Sequence, residues 1–280
     1  MNLTDISKET RLFALFIGRS GSGKTIAAAS LPKPLQELDF DIRANGLINA
    51  VNQGWLDDKD IDIVQFDPFK GYLEVEKHLS TLYMMAQSKS LSFKSIDLGS
   101  ATSLIRLLNL TSLNATKGIG HLNLGNLAMT GPGDYKFESQ ASHKIFDLLR
   151  ILPCNVTVSA HIIDKYGKPA GAKDTDPQVI IGEKLTLGTA NLAENVLAIF
   201  NDTYKFSKEV IGNKDLYFVE FNTEIAKNSF GIPPGKFDIT QKSFWNFFQE
   251  LITSIKNKTF KQPTQQNNQN LNSGSGGFAI

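Results

Sequence analysis

A single cysteine, Cys154, stands among the 280 residues, so no intramolecular disulfide can form. It lies in the apolar run CNVTVSA, where a buried, inert thiol is expected rather than a nucleophile. No apolar stretch approaches the ~18 residues that span a bilayer, and the opening MNLTDISKET has no signal-peptide core. A soluble chain of a reducing, cytoplasmic compartment is therefore expected, with no membrane contact. Net charge is nearly absent: 29 Lys and Arg face 28 Asp and Glu, for a formal +1. That balance gives no global attraction to nucleic acid, so any such contact has to come from a local cluster. The four histidines, His78, His121, His143 and His161, show no metal-ligand spacing. Also lacking is the arginine-rich lid that a small-molecule kinase would need, since Arg106 and Arg150 stand far apart.

Against these absences one stretch is specific. GRSGSGKT, Gly18 to Thr25, follows the apolar run LFALFI and matches the phosphate-binding loop G-x-x-x-x-G-K-[ST]. Gly18 and Gly23 let the backbone turn tightly and approach phosphate oxygens. Between them Arg19, Ser20, Gly21 and Ser22 supply backbone N–H groups. Lys24 brings a point charge to the β and γ phosphates, and the Thr25 hydroxyl is a magnesium ligand. The alanine-rich run KTIAAASL supplies the helix that such a loop enters. ATP with Mg2+ is the expected ligand.

Strand-like and helix-like segments alternate along the rest of the chain, the signature of a mainly parallel sheet covered on both faces. PLQELDF, IDIVQF, SFKSID and CNVTVSA read as strands. GYLEVEKHLSTLYMMAQ, SATSLIRLLNL and FESQASHKIFDLLRIL read as helices by the spacing of their apolar residues. Later, TYKFSKEV and DLYFVEF flank Gly212 and Asn213 as a hairpin. TQKSFWNFFQELITSI offers Thr240 as the N-cap of a closing helix. Residues 1–256 thus form one expected domain, and 257–280, rich in Asn, Gln, Gly and Ser, an expected disordered tail. At its start Lys256, Lys258 and Lys261 flank Phe260, a pattern that either holds single strands by phosphate contact and stacking or is a solvated linker. Two segments, Thr111 to Asp134 and Ile162 to Glu183, are long for plain connectors.

Hydrolysis needs a carboxylate on the metal side and a group that orients water. Asp97, ending SFKSID, suits the first task, the alternative being a cap for the following helix. For the second, ELDFDIR offers Asp39 and Asp41 on one face, either of which could accept a proton or simply form a turn. His161 follows VTVSA at the sheet edge where open α/β folds bind ligands, in position to hydrogen-bond a γ-phosphate.

Taken in order, GRSGSGKT, DFDIR, SIDLGSATSL, VTVSAH, GEKLTLGTANLAENVLAIFNDTYKF and AKNSFG resemble the phage-encoded P-loop ATPases with a RecA-like core, over roughly Phe13 to Gly231. Some members of that group act in single-strand annealing or recombination. The resemblance implies a RecA-like α/β fold with a C-terminal hairpin, slow ATP hydrolysis, assembly into a homo-oligomer and single-stranded DNA as a partner. It implies Lys24, Asp41, Asp97 and His161 as the catalytic set, with Asp41 where such ATPases carry a glutamate. Lys227 resembles the lysine of a K-N-R-F-G element, with Ser229 in the arginine's place. It makes Ile162 to Glu183 the DNA-facing loop, whose Lys165, Lys168, Lys173 and Lys184 are balanced by Asp164, Asp174, Asp176 and Glu183. The other reading of the same residues is a P-loop ATPase or nucleotide switch acting on a protein partner without DNA.

Overall fold

Phe13–Gly18 (β1) carries the sequence FALFIG, buried along its whole length, as a strand with helices on both faces must be. The computed structural model describes residues 11–41, 45–52, 54, 57–67, 70–115, 123–124, 127–128, 131–168, 178–223 and 225–260. After β1 come Lys24–Ala29 (α1), Leu35–Asp39 (β2), Asn45–Asn52 (α2), Ile61–Gln65 (β3), Tyr72–Gln87 (α3), Ser95–Leu98 (β4) and Ala101–Ala115 (α4). Asn123–Leu124 (β5) and Leu127–Ala128 (β6) form a small antiparallel pair before Pro132–Ile151 (α5). The chain continues through Asn155–Gly167 (β7), Val179–Leu185 (β8), Ala190–Ile199 (α6), Asp202–Ile211 (β9), Lys214–Phe221 (β10), Gly235–Asp238 (β11) and Phe244–Lys256 (α7).

The main sheet has the order β11-β10-β9-β1-β7-β4-β2-β3, with β8 pairing β7. From β3 to β9 neighbouring strands are parallel; β10, β11 and β8 add antiparallel pairs. β7 lies between β1, which leads into GRSGSGKT, and β4, which carries Asp97. This is an α/β fold with a mainly parallel sheet covered by helices, the β9–β10 hairpin being added on the other side of β1.

Alternation along β1 divides the core. Phe13, Leu15 and Ile17 join the cluster formed with α3, α4, α5 and α6. Leu12, Ala14 and Phe16 join the cluster formed with α1 and α7, where Phe16 packs against Tyr204, Phe206 and Phe244. Cys154 is buried as expected, and loss of hydration pushes its thiol up to about 12.

Several boundaries differ from the sequence expectations. The closing helix is capped by Ser243, whose Oγ accepts from the Asn246 N–H at 3.3 Å, rather than by Thr240. The Thr240 hydroxyl is taken by the Tyr217 N–H at 2.8 Å. Thr111 to Asp134 is not one connector: α4 runs to Ala115 and α5 begins at Pro132, where Asp134 accepts from the Gly131 N–H. Ile162 to Glu183 is largely a hairpin, β7 extending to Gly167 and returning as β8. The tail expectation for 261–280 lies outside the described residues. Phe260, at its start, is partly buried and packs on Phe237 with ring centroids 6.3 Å apart. Among the described residues no helix is long and apolar enough to cross a membrane.

Candidate nucleotide site

The loop after β1 is built as its sequence requires. Gly21 and Gly23 have φ of 75° and 92°, the left-handed backbone that turns successive N–H groups into one concavity. Gly18 has no room for a side chain, since a Cβ there would lie 2.4 Å from the Phe206 carbonyl oxygen and 2.5 Å from Ser22 Oγ. Lys24, only 7% exposed, folds back so that its ammonium donates to the carbonyls of Gly18 at 2.8 Å and Arg19 at 2.9 Å, with Ser22 Oγ at 3.5 Å. Burial pulls its pKa from 10.5 down to about 8. A cation that has lost hydration beside a loop of left-handed glycines suits an anionic ligand.

Strand register decides what faces this loop. Gly18 pairs with His161, which lies inside β7 rather than just after it. Loss of hydration and the nearby Lys24 charge lower the His161 pKa, while Asp41 raises it, so these three side chains share one electrostatic neighbourhood. The Asp39–Asp41 ambiguity separates in space. Asp39 is buried and forms the turn, its carboxylate accepting from the Asp41 N–H at 2.9 Å and from Gln65 Nε2 at 3.1 Å. Asp41 is exposed and accepts from the Ser103 hydroxyl.

Asp97 lies deeper. It pairs with Thr157, which pairs with Ala14, four residues before Gly18 and so about 13 Å back along the strands at ~3.3 Å per residue. Because Ala14 points into the α1 cluster, Thr157, Asp97 and its other neighbour Glu37 share the face over which α1 runs. Asp97 is fully buried and accepts from Thr157 Oγ1 at 2.5 Å. Glu37, which sequence reading passed over as one more strand residue, is its second partner. Burial first, and the Asp97 charge second, raise the Glu37 pKa well above the ordinary range, and burial raises Asp97 to about 6. The two carboxyl groups therefore favour holding a proton between them over a pair of bare charges. Glycine at position 99 makes room, since a Cβ there would lie 2.3 Å from Glu37 Oε1.

The remaining assigned residues are elsewhere. Arg19, mostly exposed, is ion-paired with Asp164 of β7, joining the loop tip to the β7–β8 hairpin. Lys227 exchanges backbone hydrogen bonds with Thr203 at 2.7 and 2.9 Å. Thr203 lies three residues before Phe206, the partner of Gly18, so Lys227 is about 10 Å back along the sheet from this chain's own loop. Sequence reading also missed Tyr217, whose ring is 3.2 Å from where a Gly23 Cβ would be. Only its period-two place in DLYFVEF hinted at which face it would take.

The donor set fits a magnesium triphosphate. The loop N–H groups and Lys24 suit the phosphates, and Thr25 stands in the first turn of α1. Asp97 Oδ2, Glu37 Oε2 and Ser159 Oγ are buried on the α1 face without a hydrogen-bond partner, as oxygens near a hydrated cation would be. Among the described residues no group of three or more His, Cys, Asp or Glu is placed to hold a metal ion, and a cation held mainly by phosphates and water needs none.

No family model matches the chain, and no curated protein matches it. Among solved structures it is similar to a KaiC-like protein from the hyperthermophilic archaeon Pyrococcus horikoshii OT3, at 14% identity and a TM-score of 0.45, over 80% of this chain and 83% of that one.

Proposed function

We propose that this chain binds ATP with Mg2+ and hydrolyses it slowly, acting in phage-type DNA recombination or single-strand annealing. The observation that carries the nucleotide reading is the buried Lys24 ammonium inside a loop whose glycines adopt φ values of 75° and 92°. Backbone N–H groups and Lys24 would bind the phosphates, and Thr25, with Asp97 acting through water from deeper in the sheet, would hold magnesium. When bound, that ion neutralises charge on the phosphates. Asp41 orients the attacking water and takes its proton. His161, beside Lys24, contacts the γ-phosphate.

The DNA part of the proposal rests on the β7–β8 hairpin. Two of its acids are spent within the chain, Asp164 on Arg19 and Glu183 on Lys205 at 2.7 Å. Lys165, Lys184 and the 59%-exposed Tyr166 face solvent, a cation-and-aromatic combination that suits single strands. The Arg19–Asp164 pair would link that surface to nucleotide state, and assembly into a homo-oligomer would extend it. One observation favours the other reading, an ATPase acting on a protein. Ile163, Val179, Ile180 and Ile181 are also exposed on the hairpin, and apolar area of this kind suits a protein surface.

Titrating single-stranded DNA with and without a non-hydrolysable ATP analogue separates them. Tighter DNA binding with the analogue, with ATP tightened by the same factor in return, supports the DNA reading. No single-strand binding in either nucleotide state, at low salt and micromolar protein, leaves the protein-partner ATPase.

A further inference from the structure

The triphosphate reading accounts for the loop and for the groups on its β7 side, but not for the aromatic ring on its other side. Strand order gives the loop two flanks. On one lie His161 of β7 and Asp41 beyond β2; on the other lie β9 and β10. A triphosphate whose γ end faces Asp41 and His161 must leave the loop, at its nucleoside end, over the second flank.

Tyr217 stands there. Val219 pairs with Phe206, the partner of Gly18, and Tyr217 is two residues beyond Val219, about 7 Å past the level of Gly18 at ~3.4 Å per residue. It points to the α1 face, since Val219 and Phe221 of the same strand belong to the α1 cluster. Its ring edge meets Gly23, the last residue before α1. The side chain is only partly buried, and its backbone is pinned by Thr240. Lys208, its cross-strand partner, places Nζ 5.9 Å from the ring centroid while held by Asp215 at 2.7 Å.

We infer that Tyr217 is the stacking face for the nucleobase and that Lys208 stands beside the nucleoside end of the same ligand. This rests on the triphosphate reading. An aromatic face recognises the base by area and polarisability rather than by hydrogen bonds, so it favours the larger purine face over a pyrimidine. A tyrosine serving only to buttress Gly23 would be indifferent to whether a base is present.

The test is calorimetric titration of the full chain, with Mg2+, using ATP, CTP and inorganic tripolyphosphate. Tyr217→Leu keeps apolar volume against Gly23 and removes the aromatic face; Tyr217→Phe keeps both. The expected result is a loss of roughly tenfold or more in ATP affinity for Tyr217→Leu, the scale of a lost base–aromatic stack. Tripolyphosphate affinity should stay unchanged, the ATP preference over CTP should shrink, and Tyr217→Phe should behave as the parent. Equal weakening of ATP and tripolyphosphate by Tyr217→Leu assigns the ring to loop support and overturns the inference, as does unchanged ATP affinity. A parent chain that binds tripolyphosphate but prefers ATP no better also refutes the base site while leaving the phosphate loop standing. Failure of the parent to bind either ligand removes the triphosphate reading and this inference with it.

Discussion

Lys24→Met should stabilise the ligand-free chain at neutral pH while abolishing its response to ATP. The parent keeps an ammonium 7% exposed, with its pKa pulled from 10.5 to about 8 by burial. At ~1.36 kcal/mol per pH unit, that depression corresponds to about 3 kcal/mol of destabilisation at pH 7. The hydrogen bonds to Gly18 and Arg19 reduce the cost of burial without cancelling it. Methionine leaves those two carbonyls without the ammonium, so the net gain is expected at about 1 to 2 kcal/mol, within the usual cost of an unpaired carbonyl. The folded chain holds this proton less tightly than the unfolded one. Parent stability therefore rises with pH from about 8 to 10.5 and carries the full penalty below 8. Urea unfolding of both proteins between pH 7 and 10.5 reads this directly, with the advantage of Lys24→Met shrinking across that window. A variant less stable than the parent by about 1 kcal/mol or more at pH 7, or a difference that does not change with pH, would show that the buried ammonium carries no such penalty.

Other outcomes follow from the same geometry. Asp41→Asn should lower hydrolysis by about tenfold or more while leaving nucleotide affinity nearly unchanged, because a proton acceptor matters only when water attacks; steady-state rates beside calorimetric affinities check it. Gly18→Ala should cost about 1 to 3 kcal/mol through the clash with the Phe206 carbonyl, a backbone atom that cannot turn aside. Gly21→Ala, with nothing within 4 Å of its added carbon, should cost only about 1 to 2 kcal/mol for its left-handed backbone. Thermal melts of the two variants compare them. Because Asp97 is raised to about 6, its contribution favours the folded state below pH 4 and is lost as pH rises through 6. The parent should therefore lose stability relative to Asp97→Asn across that interval in urea unfolding, and a flat difference would contradict the burial-raised Asp97 carboxyl.

The parts legible in the sequence are those set by short-range chemistry. GRSGSGKT announced its glycine backbone and its lysine because each residue type is needed locally, and the buried strands followed from continuous apolar runs. What stayed hidden depends on register. Glu37 and Tyr217 sit at ordinary alternating positions in PLQELDF and DLYFVEF, and only the pairing of β2 with β4 and of β10 with β9 brings them to Asp97 and Gly23. Asp39 and Asp41 were equivalent by alternation until the chain left the strand at Asp39, which sent one inward and the other to the surface. Ile162 to Glu183 read as loop because, Ile162 apart, its described apolar residues Ile163, Tyr166, Val179, Ile180 and Ile181 face solvent and form no core-facing pattern, although β7 and β8 pair there.

Everything proposed for this chain depends on the loop from Gly18 to Thr25 turning over ATP. Phosphate release from ATP by the parent chain and by Lys24→Ala, with Mg2+ and with the ion removed by chelation, tests it most directly. Slow release by the parent that needs Mg2+ and disappears in Lys24→Ala, with that variant still folded, is expected. Release at the same rate by both proteins, or none from a folded parent that also fails to bind ATP, would contradict it.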